Sequence, residues 1–126
     1  MADAVTSQIL VDGARNTVMK FTNVSDGTGE AAVLKVDVSA LLGAPSSVKI
    51  TQIDYDIFGM AVNVLWDANT DVPAIVLAPG QAQLDMSKFG GLINNASTGV
   101  TGDILFTTIG HTAGDTYSII LHMKKS

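Results

Sequence analysis

Along most of this chain apolar and polar positions alternate with a period of two, the mark of β-strands that cover one face and wet the other. The densest such stretch is C-terminal, where residues 102–109 and 116–124 are rich in β-branched and aromatic side chains. They are joined by Gly110-His111-Thr112-Ala113-Gly114-Asp115, whose two glycines and aspartate allow the chain to reverse. A central hairpin is therefore expected. In its second strand Tyr117, Ile119, Leu121 and Met123 share one face, and Ser118, Ile120, His122 and Lys124 the other. Ile120 makes that second face partly apolar, which calls for cover on both sides, from a second layer or another subunit.

From the start of the chain, residues 5–11 read as a first strand closed by Asp12-Gly13. Beyond it Thr17, Met19 and Phe21 alternate with Asn16, Val18, Lys20 and Thr22, so a tight hairpin is predicted. Residues 25–29 are a loop. Residues 30–34 could open a helix, but Leu34, Val36 and Val38 alternate with Lys35, Asp37 and Ser39, which selects a strand. Ser39 is expected to cap one helical turn over 40–43, before Pro45. Residues 48–58 form the next strand, with Lys49, Thr51, Ile53, Tyr55 and Ile57 on one face and Val48, Ile50, Gln52, Asp54 and Asp56 on the other. Gly59 ends it. Residues 60–66, apolar apart from Asn63, read as an interior strand that directs Val62, Val64 and Trp66 into the core. A turn over 67–73 leads to a short strand at 74–78, and 82–86 is expected to pair weakly. Residues 88–102 are a long irregular excursion of the kind that does a job or contacts something. The pattern predicts an all-β, single-domain β-sandwich over 1–126, jelly-roll-like, with eight or nine short strands. Residues 1–11 form either an edge strand or an interface arm.

Composition sharpens this picture. With 126 residues the chain can bury one core, and with no cysteine it holds that core by packing alone. The first residues carry no basic leader, and no run of about 18 apolar residues occurs, so neither export by a visible leader nor a membrane span is expected. The net charge is −5 and the seven basic residues are scattered apart from Lys124-Lys125, which argues against nucleic acid. Only 15% of residues are charged, against about 25% in ordinary soluble domains. Together with a hydrophobic share of 47% and a mean hydropathy of +0.35, this implies surface hidden by association, in a homo-oligomer or a docked subunit.

Candidate chemistry changes little. Asp67-Ala68-Asn69-Thr70-Asp71 opens like a calcium loop, but Val72 stands where the turn glycine is needed and Ala78 where the bidentate glutamate is needed, so the reading is an Asx-rich turn. Gly27-Thr28-Gly29-Glu30 lacks the following helix of a nucleotide fingerprint and reads as a turn. His111 and His122 have no third ligand at metal spacing. Asp54 and Asp56 share a strand face, as a glycosidase pair would need to face a common cleft, yet read as solvated edge acids. Asn23-Val24-Ser25 and Asn95-Ala96-Ser97 match the glycosylation pattern by coincidence. No nucleophile elbow or triad signature is present, and the expectation is a protein that is not an enzyme and needs no cofactor or metal.

Several passages carry a resemblance. They are 20–30 (Lys-Phe-Thr-Asn-Val-Ser-Asp-Gly-Thr-Gly-Glu), 35–39 (Lys-Val-Asp-Val-Ser), 65–68 (Leu-Trp-Asp-Ala), 89–96 (Phe-Gly-Gly-Leu-Ile-Asn-Asn-Ala) and 101–108 (Thr-Gly-Asp-Ile-Leu-Phe-Thr-Thr). With these the chain resembles small virion structural proteins of tailed bacteriophages, and within them capsid cement or decoration proteins. The resemblance implies a homotrimer of β-sandwich subunits bound to the major capsid protein on the outer capsid surface of the virion, after synthesis in the host cytoplasm. It names no catalytic residue. Interface candidates are Val5, Ile9 and Val11 on the first strand, Phe89 and Leu92 in the 88–102 excursion, and His111 in the 110–115 connection. The first strand is expected to reach across and add to a neighbour's sheet. The alternatives are a head–tail connector or tail subunit, assembled as a larger ring, and a carbohydrate- or receptor-binding β-sandwich that presents loops 88–102 and 110–115.

Overall fold

The computed structural model describes residues 4–25, 27, 30, 32–43, 45, 47–86, 88, 90–93, 99–110 and 112–125, the side chains of Ala4 and Val5 excepted. Nine strands run through them: β1 (Ala4–Asp12), β2 (Asn16–Val24), β3 (Val33–Val36), β4 (Val48–Phe58), β5 (Ala61–Trp66), β6 (Val72–Leu77), β7 (Gly80–Asp85), β8 (Ile104–Ile109) and β9 (Thr116–Lys125). They form two antiparallel sheets, one of five strands in the order β1-β2-β9-β4-β7 and one of four in the order β3-β8-β5-β6. From β2 onward the chain changes sheet at every connection except β5 to β6, which is the jelly-roll path. β1 is an added strand, hairpinned onto β2 through the bond from Gly13 N–H to Asn16 C=O.

Where alternation is unbroken, the inward rows are those expected. Thr17, Met19 and Phe21 of β2, Val62, Val64 and Trp66 of β5, and Tyr117, Ile119, Leu121 and Met123 of β9 are all buried. The two C-terminal runs, however, are not a hairpin. β8 lies between β3 and β5, and β9 between β2 and β4, so residues 110–115 carry the chain from one sheet to the other. A flexible connection permits reversal without dictating pairing. Here the two apolar rows face each other across the sandwich, with Phe106 of β8 edge-on to Tyr117 of β9 at 5.9 Å between centroids.

Bulges break the alternation in β3 and β4. In β3, Leu34 pairs with Leu105 and Val36 with Ile104, so Lys35 is the extra residue. Val36 turns inward as the alternation predicts, but Lys35 turns inward with it and Leu34 is exposed, the reverse of the period-two expectation for those two. In β4 the extra residue is Thr51, between the pairs Ile50–Met123 and Gln52–His122. Val48 and Ile50 therefore face the core before it, and Ile53 and Ile57 after it. The short turn is a 3₁₀ turn at Val38–Ala40, and its cap is Asp37 rather than Ser39: Asp37 Oδ1 accepts from Ser39 N–H at 3.0 Å. β6 starts earlier than expected and includes Pro73, which an edge strand tolerates. β7 pairs with β4 along its whole length instead of weakly. Between β4 and β5 the chain crosses sheets at Gly59, where φ is +80° and an added Cβ would lie 2.2 Å from Asp115 Oδ1, so only glycine fits.

The inward turn of Lys35 creates a polar cluster inside the sandwich. Its ammonium pairs with Glu30, both side chains being almost fully buried. Glu30 Oε1 also accepts from Asn23 Nδ2 at 3.0 Å and from the Tyr117 hydroxyl at 2.5 Å, and its backbone N–H donates to Thr108 Oγ1 at 2.8 Å. The Lys35 Nζ stands 5.8 Å from the centroid of Phe106, whose ring meets Phe21 at 5.2 Å. Asn23, read as part of a glycosylation pattern, is thus an interior residue. Glu30→Ala would leave a buried ammonium without its counter-charge, and such a change costs about 3–5 kcal/mol. Urea unfolding followed by Trp66 fluorescence checks this: the midpoint should fall at constant slope, and a loss under about 1 kcal/mol would count against a desolvated pair.

Candidate functional site

The two outward faces of the sandwich differ in kind. On the five-stranded sheet the cross-strand rows are polar: Gln8, Lys20, Ile120, Asp54 and Gln83 lie side by side, and next to them Thr6, Thr22, Ser118, Asp56 and Gln81. The hydroxyls of Thr6 and Thr22 are hydrogen-bonded. Over β9, β4 and β7 this face holds an open depression of about 540 Å³, floored by Ile120 and walled by Lys20, Asp54, Asp56, Gln81, Gln83 and Ser118. Asp54 is tied down within it, accepting from Gln52 Nε2 at 3.0 Å and lying 3.2 Å from His122 Nε2. Burial pushes the Asp54 carboxyl up, but hydrogen bonds from Gln52, His122 and Gln83 and the charge of a protonated His122 outweigh it. The carboxyl is held below the ordinary 3.8.

The four-stranded sheet turns outward a row of Leu34, Leu105, Leu65 and Pro73, then Thr107, Asn63 and Val76, then Ile109 and Ala61. None of these is charged. β5, β6 and β8 contain no charged residue at all, and the one charge of β3, Lys35, is turned inward by the bulge. Leu65 and Leu105 are buried yet stand apart from the core cluster, flanked by Leu34, Val76 and Ile109, which are 50%, 53% and 47% exposed.

At the edge of the five-stranded sheet β1 is paired with β2 of the same chain from Ala4 to Asp12. Among the described residues no strand lies on its other side. Ile9 and Val11, two of the interface candidates, are 47% and 49% exposed. Val5 pairs with Asn23 through the backbone. Leu92 is half-buried against the core and exchanges backbone bonds with Ile50 at 2.7 and 3.2 Å. Phe89 and His111 lie outside the described residues. The C-terminal end of β1 is clipped: Lys125 Nζ donates to Asp12 Oδ1 at 2.5 Å, to Gly13 C=O at 2.6 Å and to Leu42 C=O at 2.9 Å, and Leu42 N–H donates back to Asp12. The Lys125 bond is the largest cause holding the Asp12 carboxyl below its ordinary value, against some desolvation.

The 67–71 segment closes on itself. Asp71 Oδ1 accepts from Ala68 N–H at 3.1 Å and Asp67 Oδ2 from the Thr101 hydroxyl at 2.8 Å. Nearby, burial raises the Asp103 carboxyl; its bond from Val38 N–H opposes this, and the like charges of Asp37 and Asp67 add to it. Among the described residues no group of three or more His, Asp or Glu is placed to hold a metal ion, and no helix is long and apolar enough to cross a membrane.

No protein-family model and no curated protein matches the chain. Among solved structures, a cupin domain from Bordetella pertussis Tohama I aligns over 98% of this chain and 97% of its own, at 10% identity and a TM-score of 0.41. A carbohydrate binding module of family 29 aligns over 95% and 88%, at 9% identity and a TM-score of 0.41. An RmlC-like cupin protein from Desulfovibrio desulfuricans aligns over 93% and 81%, at 10% identity and a TM-score of 0.33.

The carboxyl shifts fix the sign of a pH test. Asp54 binds its proton more weakly folded than unfolded, so its contribution is present above the ordinary carboxylate value and is lost as pH falls through the folded one. Asp103 binds its proton more tightly folded, and costs stability once pH rises past the unfolded value. Asp54→Asn should therefore lower, and Asp103→Asn raise, the melting temperature at about pH 7, and both differences should shrink by about pH 3. Calorimetry at the two pH values checks this; differences that stay constant would refute the assigned shifts.

Proposed function

We propose that the chain is a non-enzymatic assembly protein that docks on a larger protein shell through the outward face of its four-stranded sheet. More narrowly, we read it as a cement or decoration protein held on the outer capsid of a tailed bacteriophage, in contact with the major capsid protein. The observation that carries the docking is the uncharged outward face on which Leu34, Val76 and Ile109 stand exposed around the buried Leu65 and Leu105. A contiguous apolar face of this kind marks an interaction surface in a soluble protein. The virion reading is supported by the passages at 20–30, 89–96 and 101–108.

One observation favours a second reading. The depression over β9, β4 and β7 places amide, carboxylate, hydroxyl and ammonium groups around the apolar floor of Ile120, a set that suits a polyhydroxylated ligand. A glycan array separates it from the first.

For the docking, tailed-bacteriophage capsids that lack a cement protein should take up purified protein to a fixed stoichiometry and rupture at higher temperature. Val76→Lys should weaken uptake by at least about tenfold, because it places an unpaired charge in an apolar contact. Gln83→Lys, on the opposite face, should leave uptake unchanged. Uptake indifferent to Val76→Lys would reject this face as the docking surface.

A further inference from the structure

Four strands border the two sheets, and three of them carry a feature that discourages strand addition. β6 contains Pro73, β3 is four residues long and bulged at Lys35, and β7 ends on the charge of Asp85. β1 differs. It too is bulged, at Leu10, and ends on an aspartate, but Lys125 pairs with the Asp12 carboxylate, and Ala4 to Ile9 run in unbroken register with β2 with no charge, proline or glycine. Exposed apolar side chains at Ile9, Leu10 and Val11 continue to Leu42, which the Asp12 carboxylate holds at the end of the strand.

We propose that the free edge of β1 pairs with β1 of a second copy of this chain, antiparallel about a two-fold axis, joining two five-stranded sheets into one. The occupant follows from charge and from the other edges. A two-fold contact sets each residue against its own kind or a near neighbour, so a charged strand would repel itself and a neutral one does not. A head-to-tail ring would instead need β1 to meet one of the three blunted edges. The pairing leaves the outward face of the four-stranded sheet open and does not rest on the docking reading. It also differs from the three-copy assembly that the resemblance implies, and one experiment separates the two.

Because the chain has no cysteine, single-cysteine variants report proximity cleanly. Thr6→Cys, Ser7→Cys and Gln8→Cys sample positions around a two-fold axis, and Gln83→Cys on β7 is the control. Under mild oxidation at least one β1 variant should form linked pairs at least about tenfold faster than the control, as a high effective concentration requires. Light scattering at about 100 μM should give twice the chain mass, and Ile9→Lys, at an exposed position, should return the mass of one chain with an unchanged melting temperature. Wild-type protein that is monomeric, or trimeric with β1 variants linking no faster than the control, would overturn the proposal. Either result would leave the Val76→Lys capsid test unaffected.

Discussion

The ring of Phe106 is where the two sheets lock together. Phe21 and Tyr117 reach it edge-on from the five-stranded sheet, and the Lys35 ammonium stands over it from its own sheet, paired with Glu30. Aromatic pairs of this geometry contribute about 0.5–1.5 kcal/mol each beyond their burial. Desolvating two ions costs several kcal/mol apiece, which the pairing only offsets. The ion pair is therefore a weak source of stability. Its consequence lies elsewhere: with Lys35 inside, β3 shows only Leu34 on its outward side, and the whole face is free of charge.

That sidedness accounts for the low charged fraction better than a uniform depletion would. The outward face of the five-stranded sheet has Lys20, Asp54, Asp56 and Asp85 and is ordinary solvated surface; the opposite face has none. Bulges decide both. The one at Thr51 keeps Val48 and Ile50 inward before it and Ile53 inward after it, so Asp54 and Asp56 stay outside.

Much of this was legible in the sequence. The limits of β4, the inward rows of β2, β5 and β9, the interior place of Trp66 and the sandwich itself follow from period-two alternation, which is a local property. Sheet membership is not local. Residues 110–115 can reverse the chain within a sheet or carry it across, and the choice rests on distant strands: β8 pairs with β3 and β5, β9 with β2 and β4, and Phe106 packs on Tyr117 between them. A bulge likewise adds one residue without changing composition, so Lys35 and Leu34 exchange sides with no signal in the alternation. Glu30 looked like part of a glycine-rich turn because its partners, Asn23, Lys35, Thr108 and Tyr117, come from four different strands. The uncharged face could have been found: β5, β6 and β8 together contain no Asp, Glu, Lys or Arg.

The size of that face constrains how it can work. Four strands about 4.8 Å apart, three showing about 20 Å of length and the four-residue β3 about 13 Å, present on the order of 350 Å². A stable interface needs about 800 Å² from each partner. One copy would thus bind weakly and release quickly, however apolar its contact. Two copies joined rigidly through β1 would present two such faces, and the second contact would form at high effective concentration, raising the avidity by about 10²–10⁴ with no new chemistry. The gain holds only if both faces meet the same surface at once. A shell built from repeating subunits offers the same contact again at a fixed spacing, whereas an isolated monomeric partner does not.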